Sequence, residues 1–144
     1  MSLQRFIDAQ NNTYADALNE IRNGKKQSHW MWFNFPQLKG LGRSETANFY
    51  GLADLQEAHE YLKHPLLGGR LREITGALNS QSGRDAHAIF GSPDNLKLQS
   101  SLTLFALADG SAESVFTEAL AKFFNSEPDQ RTLEILNYNQ PDRS

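Results

Sequence analysis

The sequence predicts an all-α domain, and residue choice is the first reason. Leu and Ala dominate the apolar residues, Val115 is the only valine and Ile is sparse. Strands favour β-branched and aromatic side chains, so an extensive sheet would lack most of its usual aliphatic material, while Leu, Ala, Glu, Gln, Lys and Arg suit helices. Apolar residues also recur at the three- and four-residue spacing of a helix face. Ser, Asp, Pro and Gly punctuate these runs where helices start and stop.

The first helix is expected at about residues 3–23. Ser2 can cap it, Phe6, Ile7, Tyr14, Ala17, Leu18 and Ile21 share a face, and Arg22 and Gly24 mark its end. Lys25 to Arg43 reads as a long aromatic-rich connection punctuated by Pro36, Gly40 and Gly42. Long loops are uncommon in compact domains unless packed or functional, and this one carries both tryptophans, so it is expected to pack.

Ser44 opens a short helix through Ala47 and Tyr50 that ends at Gly51. Asp54 with Glu57 resembles a capping box for a helix carrying Leu55, Ala58 and Leu62. Pro65 stops that helix and suits the first turn of the next, which buries Leu67, Leu71, Ile74 and Leu78. A turn over Asn79–Gly83 and a short element at Arg84–Phe90 follow. Ser92-Pro93-Asp94 reads as cap, first-position proline and first-turn acid. Beyond it, Leu96, Leu98, Leu102 and Leu104 alternate as in a strand, but Leu98, Leu102 and Phe105 fit a helix and the start signal favours the helix. Gly110-Ser111 breaks the chain before a helix with Val115, Phe116, Ala119, Leu120, Phe123 and Phe124. A last short helix after Pro128 holds Leu133 and Leu136, and residues 137–144 are expected to fray.

At 144 residues, with 39% apolar and 22% charged residues and no repeat or linker, the chain reads as one domain over 1–144. Its net charge of −3 argues against nucleic acid or an anionic membrane as the main partner. No apolar run approaches a membrane span, and Met1 to Phe6 lacks the apolar core of a signal peptide, so a cytoplasmic protein is expected. The absence of cysteine excludes disulfides, thiolate nucleophiles and cysteine metal sites. His29, His59, His64 and His87 lack metal-ligand spacing, so neither a metal nor a cofactor is expected.

The most unusual segment is His29-Trp30-Met31-Trp32-Phe33. It reads either as a binding wall, with rings that stack on a flat ligand beside an imidazole, or as an aromatic plug in the core. Gly40-Leu41-Gly42-Arg43-Ser44 runs into a helix and reads either as an anion cradle or as a glycine turn with an ordinary serine cap. His64 and Arg70 flank a helix junction, either facing a shared cleft or serving as a dipole-favoured histidine and a solvated arginine. Ser100, Ser101 and Thr103 either face a pocket or bond back to helix carbonyls.

The strings Ser28 to Leu38, Gly40 to Ser44, His64-Pro65-Leu66-Leu67-Gly68, Ile89-Phe90-Gly91, Asp94 with Lys97-Leu98, and Ser100 to Phe105 together resemble the bacterial "domain of unknown function 1810" family. The resemblance runs from Leu3-Gln4-Arg5-Phe6 to Leu133-Glu134-Ile135-Leu136. It implies a small, mainly helical single domain and no established activity. Trp32-Phe33-Asn34-Phe35 and Ala119 to Phe124 are similar to short strings of the helical YbiA-like family, which cleaves N-glycosidic bonds, although that family's acidic signature is not evident.

The resulting expectation is a domain that binds a small anionic metabolite such as a nucleotide derivative, with N-glycoside hydrolysis as the reaction class if it is catalytic. His29 and His64 are the candidate proton-transfer groups. Trp30, Trp32, Asn34, Gly40, Gly42, Arg43, Ser44 and Arg70 are the candidate ligand contacts. The alternative is a non-catalytic interaction module, or a homodimer, that buries an exposed aromatic patch.

Overall fold

The computed structural model describes residues 3–82 and 85–137. These form α1 (Gln4–Asn11), α2 (Tyr14–Arg22), α3 (Met31–Asn34), α4 (Glu45–Tyr50), α5 (Leu55–Lys63), α6 (Pro65–Asn79), α7 (Ala86–Phe90), α8 (Asp94–Asp109), α9 (Val115–Phe124) and α10 (Gln130–Ile135). No strand occurs among the described residues; an isolated parallel bridge joins Leu38 to Leu52. The all-α prediction is therefore right.

The expected first helix is two helices. The break falls at Asn12 and Thr13, and the Thr13 hydroxyl donates to Ala9 O at 2.8 Å. Asn and Thr side chains compete with the helix ladder for backbone partners, which the apolar spacing does not reveal. Leu3 is the residue before α1, and the expected cap Ser2 lies outside the described residues.

Ser44 caps α4 and Asp54 caps α5, as expected. Glu57 completes the arrangement differently: its carboxylate accepts from Ala53 N at 2.8 Å. The turn after α6 and the short element before Phe90 are present, although Gly83 and Arg84 lie outside the described residues. Ser92 does not cap α8. The helix starts one residue later than expected, at Asp94, with Pro93 in the capping position and no side-chain cap. Of the expected frayed tail, residues 138–144 lie outside the described residues.

α8 is the central element, packed against α5 on one side and α9 on the other, while α9 also meets α6. Leu98, Ser101, Leu102, Thr103, Leu104 and Phe105 are all buried, so α8 is enclosed around most of its circumference. Phe6, Tyr61, Phe105 and Phe116 form a run of ring contacts through the interior. No helix among the described residues is long and apolar enough to cross a membrane.

Candidate functional site

The connection between α2 and α4 is fastened at its start by one carboxylate. Glu20 accepts from Gln27 N (2.7 Å), Ser28 N (2.9 Å), the Ser28 hydroxyl (2.6 Å) and the Trp30 indole N–H (2.8 Å). Burial raises the pKa of this carboxyl, but the hydrogen bonds together outweigh it and hold the value down at about 2.

Trp30 is fully buried, with Phe35 and Phe90 against its ring. Met31 and Phe35 are buried as well. The expectation of a packed connection is thus met, and most of the aromatic segment is core. Asn34 is buried, and its amide donates to Trp30 O at 3.1 Å. Only Trp32 and Phe33 are half-exposed.

Asp94, in the first turn of α8, pairs with Lys26 at 2.9 Å and with Lys97 at 3.4 Å. Lys26 stands 5.0 Å over the Trp30 ring and Lys97 stands 4.1 Å over the Trp32 ring. A cation over an indole face is attracted by the ring quadrupole. One acid and two lysines thereby join the aromatic segment to the start of α8.

The connection is fastened at its far end by the Leu38–Leu52 bridge, where Lys39 N donates to Leu52 O (2.8 Å) and Leu52 N to Gln37 O (2.9 Å). Gly40 follows with φ +102°. Gly42 packs so closely on α4 that an added Cβ would come 2.5 Å from the Ala47 Cβ.

Beside this end lies a groove of about 270 Å³, bounded by the connection, the start of α8 and the start of α10. Leu41, Pro93 and Leu96 supply its apolar side, and Gln37, Lys97, Ser100, Asp129 and Arg131 its polar side, with Gly42 at one edge. Arg131 donates to Leu41 O at 3.2 Å. Asp129 caps α10 by accepting from Thr132 N (2.9 Å) and the Thr132 hydroxyl (2.6 Å). The Ser100 hydroxyl bonds back to Leu96 O. Gln37 is only 8% exposed.

Of the residues expected to form a site, Gly42 lines this groove, and Trp32 lies beneath its Lys97. His29, Arg43, His64 and Arg70 do not line it. His29 and Arg43 are exposed. Ser44 acts as the α4 cap, accepting from Ala47 N at 3.0 Å. His64 caps α6: its Nδ1 accepts from Leu66 N (3.2 Å) and Leu67 N (3.3 Å).

Arg70 donates to Gln10 at 3.3 Å and lies 5.1 Å over the Tyr14 ring. The Tyr14 hydroxyl donates to Glu73, and burial, followed by that carboxylate, pushes its pKa up. Gln10 also donates to Phe33 O and to the buried Tyr61 hydroxyl, whose pKa burial raises. This second polar cluster ties α1 to α3, α5 and α6.

Sequence reasoning did not single out Gln37, Lys97 or Arg131 as site residues. The available signal was Asp94 with Lys97, three apart in a first helical turn. Nothing in the sequence announced that α10 would bring Arg131 to the connection.

A crystal structure at 1.38 Å of a conserved hypothetical protein, Rv1873 from Mycobacterium tuberculosis, has the same fold. It is 48% identical, with a TM-score of 0.90, and the match covers 95% of this chain and 97% of that one. No curated protein matches. The family model described as "Protein of unknown function (DUF1810)" matches residues 1–136. By that near-complete match, this chain belongs to the DUF1810 family.

Proposed function

We propose that the protein binds a small anionic metabolite, one bearing a phosphate or carboxylate, in the groove beside Gly42. The observation that carries this reading is the meeting of Lys97 and Arg131, from separate helices, on one concave surface with an apolar side. Lys97 shares Asp94 with Lys26, and Asp129 is engaged in capping α10, so three cations (Lys26, Lys97 and Arg131) meet two carboxylates at this end of the connection. Arg131 donates one hydrogen bond to Leu41 O, and a guanidinium carries five N–H donors, so it has capacity for an anion. A volume of about 270 Å³ sits near the lower bound of small-molecule pockets and suits a mononucleotide-sized compound. The reading concerns binding. Asp94 is paired with two lysines, so neither it nor Asp129 stands ready as the acid or base of a glycosidase pair.

The test is calorimetric titration with nucleoside 5′-monophosphates and the matching nucleosides. Phosphorylated compounds should bind, more weakly as salt rises, and nucleosides should not. Arg131→Ala should weaken binding about tenfold or more, as expected for one charged hydrogen bond of roughly 1.5–3 kcal/mol. Arg43→Ala should leave it within twofold. Equal affinity of wild type and Arg131→Ala would end the proposal.

A further inference from the structure

We infer that Gln37 reads the amide edge of a planar ring, so that the metabolite is a phosphorylated compound whose heterocycle presents an N–H beside a C=O. This rests on the groove being the binding site. Gln37 is only 8% exposed, and it lines the groove. Its backbone is fixed, because Gln37 O accepts from Leu52 N at 2.9 Å. Its carboxamide makes no hydrogen bond to the protein among the described residues, whereas the buried carboxamide of Gln10 has three partners.

A carboxamide offers a donor and an acceptor side by side. Its Oε1 and Nε2 stay open to solvent in the groove with no protein partner among the described residues, so a matching ligand edge exchanges water for a paired donor and acceptor. The complement of such a pair is another cis-amide edge, as in uracil or hypoxanthine. Sites built around polar groups reject analogues that leave those groups unpaired far more strongly than apolar pockets reject size variants.

Gly42 belongs to the same arrangement. A Cβ there would lie 3.8 Å from Gln37 Nε2, an ordinary contact, so Gly42 stands at the groove edge beside the amide while its packing on Ala47 is what requires a glycine. Leu41 and Leu96 supply apolar surface for the ring faces, and Lys97 and Arg131 take the phosphate.

The experiment uses uridine 5′-monophosphate, inosine 5′-monophosphate and ribose 5-phosphate as calorimetric probes of the full chain. Wild type should bind at least one of the two nucleotides tenfold or more tighter than ribose 5-phosphate. Gln37→Leu should erase that preference by weakening nucleotide binding more than ribose 5-phosphate binding. Gln37→Glu, nearly the same in shape, keeps the acceptor and loses the donor; it should also erase the preference, and it serves if the leucine variant does not fold. Equal binding of all three probes by wild type, or an unchanged preference in Gln37→Glu, overturns the assignment to Gln37 and leaves the anion site standing. Absence of binding by every probe overturns both.

Discussion

The Glu20 carboxylate accepts the Trp30 indole N–H at 2.8 Å, so an acid on α2 holds the ring at the centre of the connection. The same carboxylate binds three further donors from Gln27 and Ser28. Its pKa falls from an ordinary 4.5 to about 2 on folding. Because the folded-state value is the lower one, the contribution to stability is complete above about pH 4.5 and fades as pH falls toward about 2. The carboxylate is partly exposed, so solvent screening reduces the contribution to about 1 kcal/mol rather than the full shift. Denaturant unfolding of wild type and Glu20→Gln across pH 2 to 6 should show the gap between them closing by that amount on acidification. A constant gap would separate the pH dependence from this residue.

The two tryptophans should respond differently to acrylamide. Trp30 is fully buried, whereas Trp32 is half-exposed beneath Lys97. In single-tryptophan variants, the Trp30 signal should be the more weakly quenched. Trp30→Phe should lose about 2 kcal/mol through the missing N–H bond and the space left behind. Similar quenching of both rings would contradict the packing described.

His64 should behave as a cap. His64→Ala should lose about 1 kcal/mol of stability, and His64→Asn should recover most of it. Calorimetric affinity for the groove's ligand should be the same in all three proteins, because His64 does not line the groove.

Neighbouring glycines in α6 should give opposite results. A Cβ at Gly68 would fall 2.0 Å from Leu62 O, where α5 and α6 meet backbone to backbone. Gly68→Ala should therefore cost about 3 kcal/mol or more, as overpacking against backbone does. At Gly69 an added Cβ meets nothing within 4 Å, so Gly69→Ala should stabilise by about 0.5–1 kcal/mol. Thermal melting distinguishes the two directly.

Much of the fold was legible because helix signals are local. Ser44, Asp54, Pro65 and Gly110 mark boundaries by backbone chemistry that each residue carries itself. The break at Thr13 was hidden because the apolar stripe continues through it. The start of α8 was misread by one residue because serine before proline looks the same whether it caps or precedes the helix. The candidate site was less legible. His64 and Ser44 carry polar groups that helix ends use as readily as ligands do, and sequence does not tell the two uses apart. Gln37 was missed because a lone glutamine has no pattern; its meaning comes from burial, Leu52 and Arg131, which are 15 and 94 residues further on.

The double fastening of the connection, at Glu20 and at Leu52, has a kinetic consequence. The segment that borders the groove is already ordered, so an arriving molecule meets a preformed recess and needs no preliminary closure. Observed association rates should then rise in proportion to ligand concentration without reaching a plateau, and differences among ligands should appear in how long each one stays.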